Sequence, residues 1–264
     1  MDAQPPFARH LDFEGIENFR DFGGYTGAGG ARLKPGRLYR SANHTNATDA
    51  DLARLQALSP AAIVDLRRRD ERDHEPSRRW PGFAGHVVEN DTPALHPDWL
   101  ATVSAAADLT PRWFHDDGVG YYRSLPFEAR HIDLYRRYFQ TLAAIDGPIV
   151  AHCAAGKDRT GVICALTHHI VGVHRDDMIA DFLLTNDDSR IARKMAFLGD
   201  WFERAMGARP ADPALRVAAS VHPEYLETAF RVMGEAHESI DGYLREVLGV
   251  DDALRARLQA QLLE

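Results

Sequence analysis

Pro148-Ile149-Val150-Ala151-His152-Cys153-Ala154-Ala155-Gly156-Lys157-Asp158-Arg159-Thr160-Gly161-Val162-Ile163-Cys164-Ala165-Leu166 is the stretch that decides the fold. Residues 148–151 are apolar and read as a buried strand; residues 162–166 read as a helix. The turn between them collects backbone N–H groups and the positive end of a helix at one point, which suits an anion. Ala154, Ala155 and Gly156 carry no side chain that would block a ligand from the backbone, and Gly156 can take a positive φ cheaply. Arg159 falls in the first helical turn, where its planar fork can grip two phosphate oxygens. Cys153 lies beneath that position, and a helix N-terminus with a nearby cation holds a thiol as the thiolate that attacks phosphorus. Thr160 can donate a hydroxyl hydrogen bond to the sulfur and ease its departure, and Lys157 adds charge at the rim.

Two plainer readings fail on the same residues. A free cysteine is usually a small buried hydrophobe, but His152 before Cys153 and Gly-Lys-Asp-Arg-Thr-Gly after it are not core-filling residues. A nucleotide-binding Walker loop needs Ser or Thr after Gly-Lys and a glycine at its start. Here those positions hold Asp158 and Ala151.

Outward from this turn, 37–41, 61–66 and 86–88 read as further strands, and Thr48 can cap a helix over 48–58. Strands alternating with helices predict an α/β fold with a largely parallel central sheet flanked by helices. Between 91 and 130 the pattern breaks down amid Pro93, Pro97, Pro111 and Pro126 and the aromatics Trp99, Trp113, Phe114, Tyr121 and Tyr122. That stretch is too long for an ordinary connection. It is expected to be an insertion, either a lid or pocket wall or a surface excursion with its own small core. Helices are expected over 132–145, 176–184, 188–206, 223–248 and 251–263. The last is amphipathic and reads as core, with a membrane-facing or partner-facing role as the alternative.

The chain has 264 residues, no linker and no repeat, so 1–264 reads as one domain carrying the insertion. A net charge of −8 gives no global basic field for nucleic acid or an anionic membrane. Cys153 and Cys164 are the two cysteines, and with Cys153 committed to the loop a structural disulfide is not expected. Residues 1–10 lack the apolar core of a signal peptide, and no apolar run reaches the roughly 20 residues of a membrane span. A cytoplasmic protein without stable membrane insertion is the expectation, with export that reads no N-terminal signal left open. No cofactor is implied. His168 and His169 are adjacent on a helix and point apart, so no metal site is expected. The oligomeric state leaves no trace in the sequence.

The run 152–161 resembles the signature of the cysteine-dependent protein tyrosine phosphatases. Its Gly-Lys-Asp-Arg form resembles a bacterial atypical branch that also accepts phosphoserine and phosphoinositides. Asn18-Phe19-Arg20-Asp21-Phe22-Gly23-Gly24, Leu38-Tyr39-Arg40-Ser41, Val64-Asp65-Leu66-Arg67, Ala180-Asp181-Phe182-Leu183-Leu184-Thr185-Asn186 and Pro223-Glu224-Tyr225-Leu226 resemble further motifs of that branch. The resemblance spans about Asn18 to Leu248. It implies phosphomonoester hydrolysis through a cysteinyl-phosphate, on a phosphorylated protein or phosphoinositide. It also implies that His152 orders the loop and tunes the thiol, and that Arg67 stands near the site. Arg20 and Asp21 read as braces behind it. Lys157 resembles what lipid-directed members carry, whereas the acidic net charge argues against membrane work.

The reaction needs an acid for the leaving oxygen. Asp158 lies inside the loop, with orienting Arg159 or Lys157 as its alternative role. Asp91 follows the 86–88 strand, where phosphatases of this type often supply the acid; Asp116 and Asp117 are further candidates. The run Asp65-Leu66-Arg67-Arg68-Arg69-Asp70-Glu71-Arg72-Asp73 otherwise reads as a solvated helix start laced with ion pairs. A phospho-ligand binding module that kept the cradle and lost turnover is the alternative function.

Overall fold

The computed structural model describes residues 9–93, 99–106 and 108–264. Most of the stretch read for a signal peptide, and 94–98 and 107 within the 91–130 insertion, lie outside the described residues. Five strands form one sheet: β1 (Arg20–Asp21), β2 (Leu38–Ser41), β3 (Ala62–Asp65), β4 (His86–Val88) and β5 (Ile149–His152). Their order is β1-β2-β5-β3-β4, with β1 antiparallel and the rest parallel. The fold is therefore α/β with a mostly parallel sheet, as the alternation of elements predicts.

The helices are α1 (Asp49–Leu58), α2 (Arg69–His74), α3 (Trp99–Ser104), α4 (Pro111–Ser124), α5 (Ala129–Ala144), α6 (Asp158–Ile170), α7 (Arg175–Leu183), α8 (Asp188–Met206), α9 (Asp212–Ala219), α10 (Pro223–Ala236), α11 (Ile240–Glu246) and α12 (Asp252–Leu262). α1 starts where predicted: the Thr48 hydroxyl accepts from the Asp51 N–H at 3.1 Å, and the Asp51 carboxylate accepts from the Thr48 N–H at 3.0 Å.

β5 is the central strand, pairing Val150 with Tyr39 on one side and Ile63 on the other. Both faces are covered, which is why Ile149, Val150 and Ala151 are apolar in succession and its last residue, His152, is buried too. One core holds Ala151, Leu134, Tyr138, Val162 and Leu166 from β5, α5 and α6; the other holds Val150, Phe19, Tyr39, Leu55 and Ile63. A third cluster joins Val103 and Phe114 of α3 and α4 to Leu198, Phe202 and Leu215 of α8 and α9. Leu258 and Leu262 of α12 are buried in the first core, so that helix packs inward as read.

Three expectations need correction. The stretch 223–248 is two helices, because Glu238 turns to φ 64° and the Ser239 hydroxyl caps a new start at the Gly242 N–H, 2.9 Å away. α9 was not anticipated. The stretch 91–130 is not patternless: Thr110 caps α4 at the Trp113 N–H (3.1 Å) and Pro111 takes its first position. Gly118 inside α4 hid that helix from a propensity reading. A Cβ at Gly118 would come 2.5 Å from the Tyr225 ring, so the glycine lets α4 and α10 meet. Among the described residues no helix is long and apolar enough to cross a membrane.

Candidate active site

The turn between β5 and α6 is held by its carbonyls. The Ala154 carbonyl accepts from the Asn43 N–H at 3.0 Å, and the Asn18 amide donates to the Ala155 carbonyl at 3.2 Å and to the Gly156 carbonyl at 2.9 Å. The Arg40 guanidinium donates to the Gly156 carbonyl at 3.0 Å and the Gly161 N–H to the Lys157 carbonyl at 2.8 Å. By contrast, the N–H groups of Ala154, Ala155, Gly156 and Lys157 meet no acceptor among the described residues. Gly156 is buried and Ala154, Ala155 and Lys157 are half-buried, and four such N–H groups in succession next to a helix N-terminus make a nest for an anion. Gly156 is required at its place, with φ +62° and a Cβ that would lie 2.3 Å from the Ser41 carbonyl oxygen. Cys153 is buried, 2% exposed, at the foot of this nest.

Arg159 reaches its position through a residue of the mixed-charge run that reads in sequence as solvated. Glu71 of α2 takes both ends of the fork: Nη1 donates to Oε2 at 2.6 Å and Nη2 to Oε1 at 2.8 Å, while Nη1 also donates to the Leu66 carbonyl at 3.2 Å. Burial alone would raise the Glu71 carboxyl, but the charge and hydrogen bonds of Arg159 outweigh it and hold it far below the usual carboxylate range. The pair spends one edge of the guanidinium and leaves Nε and the outer hydrogen of Nη2 for a ligand. Glu71 also closes a turn by accepting from the Arg68 N–H at 2.8 Å. The neighbouring Arg69–Asp73 pair is exposed, as expected for the run as a whole.

Asp158 accepts from the Tyr122 hydroxyl at 2.9 Å and lies 3.7 Å from Lys157 Nζ. Burial pushes the Tyr122 hydroxyl well up, so it stays a donor. Lys157 is drawn to the end of α9, donating to the Ala218 and Ser220 carbonyls at 3.1 and 3.2 Å. Tyr122 of α4 and the Ala218 carbonyl of α9 therefore both contact residues of the loop. Thr160 is fully buried, and its hydroxyl oxygen has no partner among the described residues, which leaves it available to the sulfur.

Beneath the loop, His152 is fully buried and stacks on His44 at 4.6 Å. Burial lowers its pKa to about 4 against the pull of Asp65, 3.7 Å away, so the ring is neutral at pH 7. Arg67 does not reach the loop. Its Nε and Nη2 donate to Asp65 at 2.9 and 2.7 Å, so its link to the site runs through Asp65 to His152. Arg20 holds the Asn18 side-chain carbonyl and donates to the Asp181 backbone carbonyl at 3.0 Å. Asp21 braces a different loop, accepting from the Gly23 and Gly36 N–H groups at 2.7 and 2.5 Å. Asp91 is mostly exposed and pairs with Arg72 and, at 3.6 Å, with Arg69 of α2. Asp116 faces Arg112 at 3.4 Å and Asp117 faces the Trp99 indole at 3.4 Å.

The structure thus brings Cys153, the loop residues 154–159, Thr160 and His152 together and adds Glu71, Tyr122, Asn18 and Arg40. Glu71 and Tyr122 had no local signal; Asn18 and Arg40 stand inside family-like motifs that say nothing of what each side chain binds.

A family model described as "Tyrosine phosphatase family" matches residues 11–264. A protein of Cupriavidus necator named "Putative tyrosine-protein phosphatase" is 34% identical over 251 residues, covering 93% of this chain and 86% of its own. The "Triple specificity protein phosphatase PtpB" of Mycobacterium tuberculosis is 30% identical over an alignment of 285 positions, covering 96% of this chain and 98% of its own. A tyrosine-protein phosphatase of Nostoc commune is 26% identical over 232 residues, covering 84% and 73%.

Proposed function

The chain belongs to the tyrosine phosphatase family and is a phosphatase, and from that premise we propose that it cleaves phosphomonoesters through a cysteinyl-phosphate on Cys153. The observation that carries this reading is the nest: four loop N–H groups without acceptors above a buried cysteine, with the loop carbonyls tied outward. The sulfur of Cys153 attacks phosphorus in line, and the bond to the leaving oxygen breaks. The N–H groups and the free edge of Arg159 hold the equatorial oxygens, where charge spreads in the transition state. Asp158 gives its proton to the leaving oxygen. Tyr122 occupies Oδ1 of Asp158 and leaves Oδ2 as the oxygen that carries the proton. Water then attacks the phosphocysteine, Asp158 takes a proton back, and Thr160 donates to the departing sulfur.

The substrate reading is phosphotyrosine first, with phosphoserine, phosphothreonine or a phosphoinositide as further substrates. The support is the name of the mycobacterial relative and Lys157 at the rim. The chain works as one domain over 1–264, and the insertion at 91–130 serves as a pocket wall. Tyr122 on Asp158 supports that role, and α9, which holds Lys157, supports a wall from the other side.

The test is hydrolysis of an aryl phosphate under reducing conditions by the wild type, Cys153→Ser and Asp158→Asn. Wild-type turnover, no turnover in Cys153→Ser and a strong loss in Asp158→Asn are expected. An active Cys153→Ser protein would end the cysteinyl-phosphate reading. If Asp158→Asn keeps the wild-type rate, the acid is another group, with Asp91 next to be changed. Rates on a phosphotyrosine peptide, a phosphoserine peptide and a soluble phosphoinositide then rank the substrates.

A further inference from the structure

The charges around the loop do not cancel evenly. Arg159 is matched by Glu71 and Arg67 by Asp65, while Lys157 lies 3.7 Å from the Asp158 carboxyl and is held by the Ala218 and Ser220 carbonyls at the rim. Behind the loop two arginines share one carboxylate. Arg40 on β2 and Arg20 on β1 are fully buried, and Asp181 on α7 is 1% exposed. Arg40 Nη1 donates to Asp181 Oδ2 at 3.0 Å, and Arg20 Nε lies 3.7 Å from Asp181 Oδ1. The Nε atoms of both arginines have no hydrogen-bond partner among the described residues. The other groups facing the triad add no negative charge at neutral pH. Tyr25 donates its hydroxyl to Asp181 at 3.4 Å, His168 of α6 bonds the Phe22 carbonyl at 2.7 Å, and burial pushes the Cys164 thiol of α6 up to about 12. Farther out, Asp21 and Arg9 add one charge of each sign. At the rim Arg190 adds a cation, held by the Ala219 carbonyl at 3.2 Å.

We propose that Arg40 is a positioning residue that also acts electrostatically, fixing the loop from behind and supplying surplus buried positive charge that the Cys153 sulfur and the bound phosphate neutralise. The inference rests on the cysteinyl-phosphate reading. Arg40 Nη2 donates to the Gly156 carbonyl at 3.0 Å and stands 3.5 Å from the Lys157 carbonyl, so the cation lies directly against the loop's outer side. A buried charge without a counter-ion is costly, and it favours whichever anion forms beside it. With Arg159 neutralised by Glu71, Arg40 is the loop-contacting arginine whose carboxylate is shared with a second arginine. The charge that gathers on the sulfur during attack, and that of the bound phosphate, complete its balance.

The experiment uses the full chain with Arg40→Met, Arg40→Lys and Asp181→Asn. Alkylation of Cys153 by iodoacetate is followed across pH, with Cys153→Ser as the background for Cys164, beside kcat and KM on an aryl phosphate. A neighbouring charge shifts an ionisation by about one to three pKa units. Arg40→Met is therefore expected to slow alkylation at pH ~6 by about tenfold or more. Asp181→Asn, which breaks the same ion pair from the other side, is expected to speed it several-fold, because it leaves the buried surplus larger. Arg40→Lys is expected to keep the wild-type alkylation profile while kcat falls, since an ammonium retains the charge and loses the fork on Gly156. A brace without electrostatic effect would move all three variants the same way, and that result would overturn the proposal. So would an unchanged profile and unchanged kcat/KM in Arg40→Met. If Arg40→Met fails to fold, the Asp181→Asn protein decides alone, and slower alkylation there would overturn it. A wild type that neither hydrolyses the ester nor alkylates at Cys153 would instead sink the cysteinyl-phosphate reading.

Discussion

Replacing Glu71 with Gln removes one charge and, on geometry, one of the two hydrogen bonds that orient Arg159. The pair is bidentate at 2.6 and 2.8 Å, with side chains 12% and 18% exposed. A Gln amide keeps one oxygen acceptor and turns an NH2 group toward a guanidinium N–H. A hydrogen bond to a charged group is worth about 1.5–3 kcal/mol, and partial exposure reduces the Coulomb share. A loss of about 2–3 kcal/mol in orienting the fork follows, which is roughly 30- to 150-fold in kcat/KM at about 1.4 kcal/mol per factor of ten. The loss should fall mostly on kcat, because the equatorial oxygens carry their spread charge in the transition state. Stability gives a second readout. The folded Glu71 carboxyl is depressed, so its contribution is complete above the ordinary carboxylate range. It is lost as pH falls through that range toward the folded value. Urea unfolding at pH ~7 and pH ~3 should therefore show a smaller acid-induced loss in Glu71→Gln than in the wild type. Steady-state kinetics within twofold of wild type would refute the reasoning, and faster turnover would mean that Glu71 restrains Arg159 rather than aims it.

Gly156→Ala places a Cβ against the Ser41 carbonyl oxygen and forces an L-residue to φ +62°. Loss of phosphate binding is expected, with KM for an aryl phosphate rising at least about tenfold, and calorimetry with inorganic phosphate checks it. Tyr122→Phe removes the hydroxyl that holds Asp158 Oδ1. It should slow an alkyl phosphate, whose leaving group needs the proton, more than an aryl phosphate with a good leaving group; equal losses on the two esters would count against Asp158 as the acid.

The loop was legible because everything that makes it a cradle is contiguous: an apolar strand, three small residues, an arginine and a helix. What holds the cradle was not legible, because each support comes from far along the chain. Asn18 and Arg40 stand more than a hundred positions from the carbonyls they bind. Glu71 sits in a mixed-charge run whose solvated reading holds for Arg69 and Asp73. α2 turns Glu71 and Arg72 inward while Arg69, Asp70 and Asp73 face water, and composition cannot say which. α4 escaped because its glycines lower helix propensity, and the reason Gly118 is tolerated is the Tyr225 ring of another helix. The break between α10 and α11 had a signal in Ser239, a competent cap, that the continuous apolar pattern outweighed.

The position of β5 has a consequence for how the enzyme comes into being. The strand that leads into Cys153 lies between β2 and β3, which do not pair with each other, although it is the last of the five in the chain. On the ribosome, β2 has no parallel neighbour until residues 149–152 emerge. The loop's clasp through Asp181, and the hold of Ala218 and Ser220 on Lys157, come later still. Long-range pairings of this kind form late and together. A nascent chain halted before α9 would carry the signature sequence and the side chains that hold the loop carbonyls, but not the Ala218 and Ser220 carbonyls that hold Lys157. The rim of the loop is therefore set last, after the sheet and the arginines behind it are already in place.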